Sequence, residues 1–260
     1  MEFKQVVGLR RSIRYYVPYR PVERAKVQTV LEAARLCSQA INQPWARAIV
    51  VYRDEMREED REALKVPTTT AQLDMAPVWI FWYGDPSAPQ TAQKSLKQLV
   101  DIGALNPSHG WSHSYVDDVI WPQVLQPIAG DQATLLAVTC CEAGLAICQA
   151  MLAAVDEGLG TQITAFNSAK AKEILKPADH LIPLWVQLLG YSAEDREGGG
   201  MRPRTPFEEL YFEGQYGHPF ERDDAVVDKL KKEGMLMPEA PYKWRRDEVL
   251  ALARQFGLPE

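Results

Sequence analysis

What this 260-residue chain lacks narrows the possibilities first. It carries 29 Lys and Arg against 35 Asp and Glu, a net charge of −6, so it lacks the basic surface that general nucleic-acid binding requires. Cysteine and histidine are scarce, four of each. Cys37, Cys140, Cys141 and Cys148 stand at no spacing that chelates zinc. Three of them fall within one apolar run, which favours packed free thiols over disulfides or metal ligands. The chain contains no P-loop, no G-x-G-x-x-G, no recognisable catalytic triad, no internal repeat and no low-complexity tract. Its opening, MEFKQVVGLRRSIR, has no apolar stretch of the kind a secretory leader needs. A reducing cytoplasm fits these absences. Apolar residues at 46% and charged residues at 25% are ordinary for a soluble globular protein, and the length allows a substantial core.

Long uncharged runs are few, and one dominates. Residues 132–155 contain a single charge, Glu142, and no proline, and nearly half are Ala, Gly or Cys. That composition predicts a long helix. A helix apolar on almost every side is either a membrane span or the middle of a core. Asp131 at the start, Asp156 and Glu157 at the end, and the absence of a flanking Lys/Arg cluster favour the core. Small residues such as Ala137, Gly144 and Ala150 let another helix approach closely. A chain of this length has few layers to cover such a helix, which points to a subunit interface.

Elsewhere the pattern alternates helices and strands. A short helix over 2–9 delivers Arg10-Arg11-Ser12-Ile13-Arg14, either a solvated basic face or a phosphate clamp built from guanidinium donors and a hydroxyl. A helical pattern runs from Pro21 to Leu36. The polar exit Cys37-Ser38-Gln39-Ala40-Ile41-Asn42-Gln43-Pro44-Trp45 leads into a strand at 48–52. Residues 54–65 read as a charged surface helix, and 77–83 as a buried strand. From Gly84 to Pro127 the chain reads as irregular apart from a helix at 90–100. It gathers Trp111, Tyr115 and Trp121, which either pin the connection to the core or line a binding loop. His109 and His113 are four apart, but Gly110 and the loop-like composition argue against a shared metal-binding face. Gly158 and Gly160 end the long helix; a strand at 161–166, a short helix capped by Asn167 or Ser168 and a strand at 181–189 follow. SAEDREGGGMRPRTP has the composition of a mobile linker and delivers a second basic pair, Arg202 and Arg204. Two helices, near 223–233 and 246–256, complete a tail with too little apolar mass for its own core.

In combination and in this order, four pieces resemble the nitroreductase superfamily of flavin enzymes. RRSIRYY is similar to that family's R-x-S-x-R/K opening, LCSQAINQPW to its loop ending in Gln-Pro-Trp, EAGLAICQAMLAAVDEGLGTQITAFN to its core helix and following strand, and RPRTPFEEL to its closing R-x-P-x-x-E-L. The sequence departs at Cys37, where the family usually has Pro, and at Ile41, where many members have a polar residue.

The resemblance implies an α+β fold, a sheet flanked by helices, with the long helix at a homodimer interface. It implies an FMN-binding domain over 1–212 and a C-terminal extension over 213–260 docking on the body or on the partner. It implies FMN as cofactor and NAD(P)H as a transient electron donor, with no metal, nucleic-acid or membrane partner. Arg10, Ser12 and Arg204 match phosphate ligands, with Arg11 and Arg202 as weaker candidates, and Arg14 matches a cation beside the flavin N1 and O2. Ser38, Gln39 and Ala40 match contacts made from the other subunit. Gln162, Ile163, Thr164 and Ala165 match the stretch near N5. Ala40, Trp111, Tyr115 and Trp121 are the candidates for touching substrate. The implied activity is electron transfer from NAD(P)H to a flat acceptor such as a nitroaromatic or quinone. Two alternatives stand beside it: another flavin reaction on the same fold, such as reductive dehalogenation, and a flavin-binding protein without activity.

Overall fold

The computed structural model describes residues 1–259. Four strands form one antiparallel sheet in the order β1-β2-β4-β3: β1 (Ala46–Tyr52), β2 (Val78–Gly84), β3 (Gly160–Thr164) and β4 (Ile182–Gly190). The organising strand is β2, VWIFWYG, buried along its whole length. Both of its faces are apolar, so it needs cover on both sides. Val78, Ile80 and Trp82 face a core shared with two helices, α2 (Arg24–Arg35) and α8 (Gln132–Asp156), while Trp79, Phe81 and Tyr83 face a second core on the opposite side. Gln187 on β4 is fully buried but satisfied. It accepts from the Trp82 indole N–H at 3.0 Å and donates to Thr161 Oγ1 at 3.1 Å, which ties three strands into one register.

Helices occupy both faces and the edges. In chain order they are α1 (Phe3–Leu9), α2 (Arg24–Arg35), α3 (Glu58–Leu64), α4 (Thr70–Met75), α5 (Ala92–Asp101), α6 (His113–Tyr115), α7 (Gln126–Gly130), α8 (Gln132–Asp156), α9 (Ser168–Leu175), α10 (Asp224–Lys232) and α11 (Arg245–Phe256). The pattern expected to start at Pro21 becomes helical at Arg24, after an extended Glu23. Caps fall where the sequence places them. Asp131 accepts from the Thr134 N–H, Asn167 accepts from the Lys170 N–H, and Gly158 takes a φ of 77°.

Two expectations need correction. The connection before α8 is not irregular: between α6 and α7 the chain continues as a π-helical stretch, Val116–Leu125, that contains Pro122. A proline ring collides with the carbonyl four residues back in an α-helix, and the wider π turn accommodates it. The Gly-rich segment is a packed turn and not a free linker, with Gly198, Gly199 and Gly200 buried and all left-handed. As the scarcity of covering layers implied, α8 is not buried on every side within one chain. Ala143, Ala146, Ile147, Ala150 and Ala154 face the core, whereas Leu136, Ala137, Cys140, Cys141, Gly144, Leu145 and Cys148 form an exposed stripe.

Candidate functional site

After α1 the chain turns extended at Arg10 and runs beside β3, with Ser12 bridged to Thr161 and the Ile13 N–H donating to the Thr161 carbonyl at 3.2 Å. Extended backbone alternates its side chains. Arg11 and Ile13 therefore turn inward, at 6% and 3% exposure, while Arg10, Ser12 and Arg14 share the outer side. The R-x-S-x-R spacing is thus the period of a strand.

Arg202 and Arg204 arrive from the far end of the chain at the same place. Burial lowers the Arg10 pKa and neighbouring Arg204 lowers it further. Burial likewise lowers Arg11, with Arg10, Arg202 and Arg204 adding repulsion, and lowers Arg202, with Arg14, Arg245 and Arg204 adding to it. Arg11 donates from Nε to the Gly200 carbonyl at 3.2 Å and from Nη1 to the Arg10 carbonyl at 2.9 Å. Its buried Nη2 has no hydrogen-bond partner among the described residues. A buried guanidinium with a spare donor amid like charges is costly unless an anion completes it.

The second element is the loop after α2. Ala40 is held at both of its backbone groups: its N–H donates to Glu142 Oε2 at 2.8 Å, and its carbonyl accepts from the Trp45 indole at 3.1 Å. Gln43, 4% exposed, donates to the Thr91 carbonyl at 3.2 Å and accepts from the Thr91 hydroxyl at 2.9 Å. Between them Ile41 and Asn42 are left-handed, with φ of 54° and 51°. A β-branched residue there is strained. Ser38 is exposed and Gln39 half-buried, and Ser38 lines a groove of about 610 Å³ with Phe3, Val6, Cys37, Leu145 and Cys148. Cys148 is also near enough to Arg10 to act on its charge, so the loop and the arginine cluster both border the open face of α8.

At the end of β3, Gln162 is buried, Ile163 and Ala165 are exposed and Thr164 is half-buried. Trp111 and Tyr115 meet edge to face with ring centroids 5.5 Å apart. Trp111, Trp121 and Ile41 pack around a small core of Ala92, Leu96, Val116 and Leu125. The aromatic connection and the 38–42 loop therefore share one apolar cluster. His109 Nδ1 lies 3.1 Å from Asn106 Oδ1 and His113 pairs with Asp101 at 2.8 Å. Among the described residues no three His, Cys, Asp or Glu side chains gather.

With this geometry established, the family model described as "Nitroreductase family" matches residues 8–191, well over half of the chain. The chain belongs to the nitroreductase family. Solved structures carry the same fold. A candidate NAD(P)H:FMN oxidoreductase from Staphylococcus epidermidis has a TM-score of 0.64 at 17% identity, covering 81% of this chain and 94% of its own. A candidate nitroreductase from Exiguobacterium sibiricum, solved in complex with FMN, has a TM-score of 0.58 at 22% identity, covering 75% and 90%. A hypothetical oxidoreductase from Bacillus subtilis has a TM-score of 0.59 at 19% identity and covers 100% of this chain and 87% of its own. No curated protein matches the sequence.

The matched span takes in the RRSIR segment, the 38–45 loop, α8 and β3, but ends before Arg202, Arg204 and the tail. Within this nitroreductase-family chain, sequence reasoning overlooked Glu142, Glu194, Tyr242 and Arg245. Glu142 had a signal, as the only charge between residues 132 and 155. The other three lie in unremarkable polar sequence, and only the fold brings them to the arginine cluster.

Proposed function

We propose that this chain is an FMN-dependent oxidoreductase that takes electrons from NADH or NADPH and passes them to a flat acceptor such as a nitroaromatic or quinone. The observation that carries the proposal is the convergence of Arg10, Arg11, Arg202 and Arg204 around a buried guanidinium nitrogen that lacks an acceptor. A terminal phosphate supplies what that cluster lacks, charge and several acceptor oxygens at once. Arg10, Ser12 and Arg204 hold it from the outer side. Arg11, already committed to two carbonyls, has its Nη2 donors left to contribute. Arg14 supplies positive charge beside the ring's N1 and O2, Gln162 to Ala165 line the ring near N5, and Ser38, Gln39 and Ala40 reach it from a second subunit. When bound, FMN supplies the ring that accepts hydride and releases electrons. The protein binds it, orients it and excludes water. Membership of the family and the flavin named for two structural neighbours support this reading.

The purified protein is expected to be yellow, to release FMN and not FAD, and to bleach anaerobically with NADH or NADPH. A colourless protein that fails to take up added FMN sinks the proposal.

The working unit in this proposal is a homodimer joined along α8, in the cytoplasm. The exposed stripe from Leu136 to Cys148 is apolar and leaves open space around Gly144, where a second helix fits. Ala137→Arg places a charge on that stripe, while the single chain, in which Ala137 is exposed, tolerates it. The variant is expected to be monomeric, or insoluble, and free of flavin; a yellow dimer from it removes α8 from the interface.

A further inference from the structure

The tail beyond residue 237 lies outside the family match, yet it holds the arginine cluster in place. The segment 195–201 is braced from outside by residues 238–248. The Met201 N–H donates to the Pro238 carbonyl at 2.8 Å, the Ala240 N–H to the Met201 carbonyl at 2.9 Å, and the Tyr242 N–H to the Gly199 carbonyl at 3.0 Å. The Asp195 N–H donates to Glu248 Oε1 at 2.6 Å, and the Tyr242 hydroxyl donates to Glu197. Burial, followed by that hydrogen bond, pushes the Tyr242 hydroxyl up to about 12, so it stays a donor throughout the neutral range. The left-handed glycines are required here. A Cβ on Gly199 collides with the Arg245 side chain, and one on Gly200 lies 2.9 Å from Ala240.

This braced turn carries the acceptors that orient two cluster arginines. Its Gly200 carbonyl accepts from Arg11 Nε at 3.2 Å, and its Gly198 carbonyl accepts from Arg202 Nη2 at 2.8 Å. Next to it Glu194, with a fully buried carboxylate, accepts from the backbone N–H groups of Arg14 and Tyr15, the latter at 3.1 Å. Arg245 of α11 neutralises that carboxylate, and Glu248 holds the same guanidinium at 2.6 Å. Without Arg245 the Glu194 charge is buried and lacks its cation, a strongly unfavourable state. Glu194 anchors the very backbone that sets Ser12 and Arg14 on the outer face.

We infer that Arg245 and Tyr242 are positioning residues for phosphate recognition: the tail clamps the Gly198–Gly200 turn and Glu194, and through them fixes Arg11, Ser12 and Arg202 toward the phosphate of FMN. This rests on the cluster being the FMN-phosphate site. The ligand property it controls is the preference for FMN over riboflavin, which shares the ring and lacks the phosphate.

The test measures FMN and riboflavin affinities by flavin fluorescence quenching on the full chain, with thermal melts to establish folding. Wild type is expected to favour FMN strongly. In Arg245→Met the preference is expected to fall by about tenfold or more, with riboflavin affinity nearly unchanged, and Arg245→Lys is expected to restore most of it. Tyr242→Phe removes only the Glu197 bond; it is expected to lower the preference less, and it carries the test if Arg245→Met does not fold. A folded Arg245→Met with wild-type preference, or an equal loss for both flavins, overturns the inference while leaving the phosphate site standing. Where Arg245→Met does not fold, an unchanged preference in Tyr242→Phe overturns it. A wild type that binds both flavins alike overturns the phosphate site itself, and this inference with it.

Discussion

At the arginine cluster, charged and hydrogen-bonding groups hold one another. Glu194 is fixed by two backbone donors and Arg245, and Arg11 by two carbonyls. The stretch from Leu105 to Gly130, by contrast, gathers Trp111, Ile120, Trp121 and Ile41 around Leu96, Val116 and Leu125, and its polar ties to the preceding helix, His113 to Asp101 and Asp117 to Lys97, lie at the partly exposed surface. Hydrogen bonds are directional and fix an atom's place; apolar burial is not, and fixes only that a surface is covered. The first end suits a ligand group of constant shape and charge, such as a phosphate. The second can change its residues and keep its fold, which would suit the varied flat acceptors proposed above.

Three substitutions sharpen or break that contrast, and the largest effect belongs to the polar end. Arg204→Glu removes a charge-assisted bond and adds repulsion, so FMN binding should weaken by at least ~2 kcal/mol, read by flavin titration. Unchanged affinity removes Arg204 from the site.

Trp111→Ala probes the apolar end. If the ring stacks on an aromatic oxidant, turnover of that oxidant falls by the equivalent of about 0.5–1.5 kcal/mol, while reduction by nicotinamide and FMN content stay level. Two stopped-flow half-reactions on flavin-replete protein measure this. Equal slowing of both halves, or loss of fold, leaves Trp111 as an anchor against Tyr115 and the small core.

The smallest effect is expected at Ile41→Gly. Release of the left-handed strain contributes on the order of 1–2 kcal/mol, and lost burial of a half-buried side chain costs about as much. The net change in unfolding free energy should stay within about 1 kcal/mol by denaturant titration. A loss beyond about 2 kcal/mol would show that packing dominates at this loop and that the strain is minor.

Much of the architecture was legible because it is local. The cap at Asp131, the turn at Gly158 and the unbroken apolar run of β2 each follow from neighbouring residues. The misjudged parts depend on distant partners. Pro122 reads as a helix breaker unless the helix widens around it. Three glycines read as slack until Arg245 and Ala240 leave no room for a Cβ. At the site, composition showed the two basic segments only as residue types, and it was the family resemblance that implied they meet. Glu194 and Arg245 are 51 residues apart, and no spacing rule connects them.

The open face of α8 bears three thiols, Cys140, Cys141 and Cys148, while Cys37 is buried and its ionisation is made harder by that burial. A nucleophile must be reached before it can be alkylated. In the proposed dimer, the rate at which iodoacetamide consumes each cysteine, followed by mass, would time how often that face is uncovered, with Cys37 as the internal clock for opening of the chain itself.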